Sequence, residues 1–119
     1  MKHLKSYKIF ESNENFLLDC QDILLELKDN GFGVRFRTIV SQELLAEINI
    51  FKVDEVSMNN IYTFGEISET ILRLNDFLKL NNKRATAYES TEYYSELDDI
   101  IKNWGKDYRL RRLTIYLRK

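Results

Sequence analysis

Apolar residues recur along this chain with two different periods, and the switches between them divide it into elements. Phe16, Cys20, Ile23, Leu24 and Leu27 follow at spacings of three and four, with Leu17, Leu18 and Leu25 widening the stripe. That pattern predicts an amphipathic helix facing a core. Ser12 or Asn13 is its expected cap, Glu14 falls near the positive end of the dipole, and Asn30-Gly31 ends it, Gly taking the left-handed C-terminal conformation without strain. The period then drops to two. Val34, Phe36 and Val40 alternate with Arg35, Arg37 and Ile39, and after Ser41-Gln42 the residues Leu44, Ala46, Ile48 and Ile50 alternate with Leu45, Glu47, Asn49 and Phe51. Two such runs around a short polar break predict an antiparallel hairpin.

Residues 54–63, with Ser57, Asn59 and Asn60, form a loop on this reading. Thr63 and Glu66 have capping-box spacing, and Ile67, Ile71, Leu74 and Leu78 continue as a second helical stripe to Asn81-Asn82. Arg84 to Tyr88 alternates briefly as a strand whose small Ala85 and Ala87 suit close helix packing. Ser90 or Thr91 is the expected cap of a third helix carrying Tyr93, Leu97, Ile100, Ile101 and Trp104, which Gly105 stops. From Tyr108 the chain alternates again, with Leu113, Ile115 and Leu117 against Arg112, Thr114, Tyr116 and Arg118. It ends in a long strand.

The order α-β-β-α-β-α-β implies an α/β (α+β) fold. Strands joined through helices favour parallel, right-handed crossovers, and the first pair is a hairpin. A mixed four-stranded sheet with three helices is therefore expected. Each strand has one apolar and one mostly polar side, so the helices should share one face of a two-layer sandwich.

The 119 residues suffice for one domain. The expected division is a basic N-terminal segment over 1–11 and a single domain over 12–119. One Cys and one His cannot by themselves make a disulfide or a zinc site, and no cofactor is implied. Cys20 lies on the apolar stripe and reads as a buried structural thiol; His3 is too remote to activate it. No run approaches the ~18–20 apolar residues of a membrane span, and there is no apolar signal core near the N-terminus. Gly31-Phe32-Gly33 follows a helix and lacks the Lys-Ser/Thr of a phosphate loop. Glu92, Glu96 and Asp99 would share a helical face but have no convergent ligands elsewhere. Catalytic constellations are missing, and the expectation is a non-enzymatic protein.

Charge changes the picture. The net charge of -1 conceals a segregation: residues 102–119 hold seven cations against Asp107 alone, and 89–101 hold five carboxylates and no cation. Residues 9–33 hold six carboxylates against Lys28. On the predicted sheet, Arg35, Arg37, Asn49, Phe51, Thr86, Tyr88, Arg112, Thr114, Tyr116 and Arg118 share the polar face. Arg35, Arg37, Tyr88, Arg112, Tyr116 and Arg118 are the candidate binding residues. Cations beside rings on a sheet suit single-stranded nucleic acid, and Tyr and Arg equally suit a protein partner or a second copy of the chain. Recognition-motif hexamers and octamers of RNA-binding sheets are absent.

The opening MKHLKSYKIFE, with three Lys and spaced Leu4, Tyr7, Ile9 and Phe10 before Glu11, and the run Asp22 to Phe32 resemble small proteins of large tailed bacteriophages infecting AT-rich Bacteroidetes. Abundant Ile, Asn, Lys, Tyr and Phe with scarce Ala and Gly and no Pro fit an AT-rich genome. The opening is also similar to phage capsid-targeting segments removed after an Ile/Leu-x-Glu site, and Ile9-Phe10-Glu11 fits, with cleavage before Ser12. The resemblance implies a viral protein of the host cytoplasm or the virion, and no activity. The resulting expectation is a protein-binding phage protein, with a nucleic-acid-binding module as the alternative.

Overall fold

A computed structural model describes the backbone of residues 2–53, 60–89 and 93–119 and the side chains of 15–53, 60–89 and 95–119. Helix α1 spans Lys2–Asp29. Its helical backbone therefore runs through Ser12 and Asn13, the expected caps, and takes in most of the segment expected to be separate. Phe16, Cys20, Leu24 and Leu27 are buried, but Leu18 and Leu25 face outward. The core-facing stripe is narrower than the run of leucines suggested. Gly31, at φ 90°, turns the chain into the first strand.

Strands β1 (Phe32–Thr38) and β2 (Leu44–Lys52) form the expected hairpin, with Val34 opposite Ile50 and Arg35 opposite Asn49. The Ser41 hydroxyl accepts from the Glu43 and Leu44 backbone N–H groups at 3.2 and 3.4 Å and shapes the turn. Residues 54–59 of the expected loop lie outside the described residues, and the chain resumes with the two-residue β3 (Tyr62–Thr63). The Thr63 N–H donates to Glu66 Oε2 at 2.8 Å, so the capping-box pair does act at a helix start. The helix it starts is a short 3-10 turn, Phe64–Glu66, which leads into α2 (Ser68–Leu80). Helix α2 ends as Asn81-Asn82 predicts. Asn82 has φ 55°, and the Asn82 and Lys83 N–H groups donate back to the Lys79 and Leu78 carbonyls at 3.1 and 2.8 Å, which satisfies carbonyls the helix end would otherwise leave open.

After β4 (Arg84–Glu89) the structure departs from expectation. Ser90 and Thr91 lie outside the described residues, and Tyr93–Glu96 is a strand, β5, paired antiparallel to β4. Helix α3 is only Leu97–Asn103. The aromatic pair Tyr93-Tyr94 favours a pleated edge over a helix start, and Asp98 and Asp99 fall in the first turn, where the dipole favours them. Of the residues expected to share an acidic helical face, Glu96 precedes the helix, Asp99 lies in its first turn, and Glu92 is outside the described residues. The last run is split at Arg111 into β6 (Arg109–Leu110), which pairs with β3, and β7 (Arg112–Arg118).

The main sheet has five strands in the order β1-β2-β7-β4-β5, every neighbouring pair antiparallel, where a mixed four-stranded sheet was expected. Helix α2 does connect strands of the same direction, β2 and β4, but β7 inserts between them. Helix α3 likewise joins β5 to β7 across β4. The additional strand β5 reverses the chain before α3, and that reversal makes β7 antiparallel to both its neighbours. All three helices cover one face. Cys20 and Leu24 of α1, Ile71 and Leu74 of α2, and Leu97 and Ile100 of α3 close over Ile48, Ile50, Ala87, Leu113, Ile115 and Leu117 in one core. Each buried Leu or Ile contributes about 1.5–3 kcal/mol. The fold is a two-layer α+β sandwich.

Candidate functional site

Register places the six candidate residues on the sheet face turned away from the helices. One row across the strands reads Arg35, Asn49, Thr114, Tyr88, and the next reads Arg37, Glu47, Tyr116, Thr86. Gly33, Phe51 and Arg112 make a third row, and Arg118 stands opposite Arg84 in a fourth. Four adjacent strands spaced about 4.8 Å apart put Arg35 and Tyr88 about 14 Å from one another.

The face is not a bare polar surface. Its side chains pair with one another. Phe51 lies over Gly33, only 4% exposed, with the Arg35 and Arg112 guanidinium carbons 5.4 and 5.8 Å from its ring centre, a cation–π arrangement. Sequence alternation placed Phe51 on this face but did not show it covered. Tyr88 and Tyr116 meet edge to face at 5.4 Å. Glu47 forms an ion pair with Arg37 and accepts the Tyr116 hydroxyl at 3.4 Å. Burial, and then the Glu47 charge, push the Tyr116 phenol above its ordinary value. The Thr114 hydroxyl donates to Asn49 Oδ1 at 2.7 Å, and Arg118 Nε donates to the Thr86 hydroxyl at 3.4 Å. Thr86 is accordingly buried; of the candidate arginines Arg35, Arg37 and Arg112 are exposed, and so is Arg84 opposite Arg118. Glu47 was not among the candidate residues. Its alternation with Asn49 and Phe51 was the available signal, and in the structure it is an acidic group paired with Arg37 on this face, whose row continues through Tyr116 and Thr86 to Glu96.

A second aromatic cluster lies on the helix side. Trp104 stacks on Tyr108 at 4.1 Å and meets Phe64 edge to face at 5.4 Å, and the Tyr108 hydroxyl donates to Glu89. Beside it a groove of about 340 Å³ is lined by Phe64, Ser68, Leu72, Ile101, Trp104 and Lys106. Among the described residues its charged lining groups are Glu69 and Lys106.

Cys20 is fully buried, as its place on the stripe predicted, and burial pushes its thiol up to about 12. It stays protonated near neutral pH and out of reach of a substrate. Among the described residues no three His, Cys, Asp or Glu side chains group as metal ligands, and no described helix is long and apolar enough to cross a membrane. No family model, curated protein or solved structure matches the chain.

Proposed function

We propose that the chain is a small non-enzymatic protein that binds another protein through the sheet face bearing Arg35, Arg37, Tyr88, Arg112, Tyr116 and Arg118. The phage origin suggested by the N-terminal resemblance, with action in the host cytoplasm or the virion, belongs to the same proposal. The observation that carries it is the way the face occupies its own rings. Phe51 sits against Gly33 beneath two guanidinium groups, and Tyr88 presents its edge to Tyr116 or receives it there. A single-stranded platform needs ring faces open for bases. Pre-set arginines supported by fixed aromatic contacts suit the side chains and carbonyls of a protein surface instead.

The exposed guanidinium groups of Arg35, Arg37 and Arg112 favour a second reading, phosphate binding. One pair of measurements separates the two. Fluorescence anisotropy with labelled single-stranded DNA and RNA at low salt should show no binding. Affinity capture from host lysate should recover a partner that the Arg35→Glu/Arg112→Glu variant loses. Oligonucleotide binding that weakens steeply with salt overturns the protein-binding reading. Carriage in the virion further requires that α1 open locally at the Glu11–Ser12 bond for processing, since the helix runs through it. Intact mass of virion-derived protein should then correspond to a chain beginning at Ser12, and a virion chain retaining residues 1–11 removes that part.

A further inference from the structure

We infer that the outer edge of β1 is a strand-addition site for an extended peptide segment that alternates apolar and acidic residues. The inference rests on the protein-binding reading above and specifies the form of the partner.

Strand β1 ends the sheet order, and among the described residues nothing pairs with its outer side. The direction of its backbone groups follows from the two bonds that bracket the hairpin. The Val53 N–H donates to the Gly31 carbonyl and the Ile39 N–H to the Leu45 carbonyl, both at 3.0 Å. With no register shift between them, Gly33, Arg35 and Arg37 also point their backbone groups at β2. Phe32, Val34, Phe36 and Thr38 therefore direct theirs outward. A seven-residue strand thus offers four residues' worth of ladder bonds to an incoming chain.

The two sides of that edge differ in chemistry. On the helix side, half-buried Val34 and Phe36 and exposed Leu25 line a groove of about 100 Å³ with Gln21, Asp22 and Lys28. Beyond the end of the strand Val40 is fully exposed. On the other side stand Arg35, held against Phe51, and Arg37, paired with Glu47. Side chains of an added strand alternate between these sides. Those opposite Val34 and Phe36 enter the groove on its apolar side, formed by Leu24, Leu25, Val34 and Phe36, and those opposite Arg35 and Arg37 meet two cations and one carboxylate. Apolar–acidic alternation satisfies both.

A second copy fits less well than an acidic partner. Antiparallel pairing of β1 with itself about Arg35 or Phe36 sets Arg35 opposite Arg35 or Arg37, and like charges directly opposite are destabilising. Pairing about Val34 avoids that clash but sets Arg35 and Arg37 opposite Gly33 and Gly31, so it supplies no opposite charge. The edge favours a partner of opposite charge.

The probe is a fluorescein-labelled peptide of about eight residues, alternating valine and glutamate, with blocked termini. It should bind saturably by anisotropy. A block isomer of the same composition and an alternating valine–lysine peptide should each bind at least about tenfold more weakly. Val34→Pro removes an outward N–H that only an added strand uses, and edge strands tolerate proline. It should lose about tenfold in affinity with an unchanged circular dichroism spectrum. Arg35→Glu gives the same loss through charge and serves if the proline variant does not fold. Absence of saturable binding, equal binding of all three peptides, or indifference to the variants that fold overturns the inference. So does a dimer in sedimentation equilibrium that Arg35→Glu alters, because the second copy then covers the edge. Partner capture that needs Arg112 but survives Val34→Pro leaves the protein-binding face standing and removes this site. Capture that needs neither removes both.

Discussion

Gly33→Ala should destabilise the protein, and the same substitution should stabilise it once Phe51 has been shortened to alanine. Gly33 is in a strand and does not take a positive φ, so alanine is compatible with its backbone. Space is the obstacle. A Cβ at Gly33 would lie 2.3 Å from Cε2 and 2.5 Å from Cζ of Phe51. The ring cannot swing aside freely, because Arg35 and Arg112 flank it and it is 4% exposed. Overpacking of this kind costs about 1–3 kcal/mol. Replacing glycine restricts the unfolded chain and returns about 0.5–1 kcal/mol. The net expectation is a loss of about 1–2 kcal/mol, which lowers a urea midpoint by roughly 1 M for a protein of this size. In the Phe51→Ala background the obstacle is gone, and Gly33→Ala should raise stability by about 0.5–1 kcal/mol. Phe51→Ala by itself should cost about 2–3 kcal/mol of lost burial. The assay is urea unfolding at 25 °C of the four proteins in a double-mutant cycle. An effect of Gly33→Ala with the same sign and size in both backgrounds refutes the seating of the ring on the glycine.

The remaining expectations concern stability. Tyr62→Phe removes the buried hydroxyl that donates to the Ile50 carbonyl at 2.8 Å, and should cost about 1–2 kcal/mol in urea unfolding with little change in the spectrum of the native state. Asn82→Ala should cost about 1 kcal/mol because alanine tolerates φ 55° less well than asparagine, whereas Asn82→Gly should match or exceed the parent in thermal midpoint. Asp98 accepts bonds from Lys102, Lys79 and Asn75, which hold its carboxyl below the ordinary 3.8. A depressed folded pKa stabilises above the unfolded value and is lost as pH falls through the folded one. Urea midpoints at pH 7 and pH 3 should therefore differ less in Asp98→Asn than in the parent, and an identical pH dependence would discount the cluster.

Local signals located most elements. The turn at Gly31, the Thr63–Glu66 pairing and the Asn81-Asn82 stop depend on residues within a few positions of one another, and each appears where the pattern put it. Strand β5 was illegible for the complementary reason. Tyr93, Leu97, Ile100 and Trp104 fit a helical stripe, and only pairing with β4, which places Tyr94 beside Tyr88 and Glu96 beside Thr86, makes the first of them a strand residue. The candidate site divides the same way. Alternation put Arg35, Arg37, Tyr88, Arg112, Tyr116 and Arg118 on one face, but which of them stay exposed depended on cross-strand partners. Glu47 on β2 reaches Arg37 on β1 and Tyr116 on β7, and Gly33 on β1 makes room for Phe51 of β2.

What this sequence determined alone was periodicity: which side of each helix and strand is apolar, where helices stop, and which polar residues share a side. Those properties follow from backbone geometry and near neighbours, so they can be read without knowing what lies across the fold. The order of strands, the insertion of β7 between β2 and β4, and the place of β1 at the end of the sheet order were decided only in three dimensions, because hydrogen-bonded pairing joins residues far apart in the chain. The near-zero net charge likewise says little by itself, since it does not show that Glu47 stands between Arg37 and Tyr116 or that Arg35 lies against Phe51.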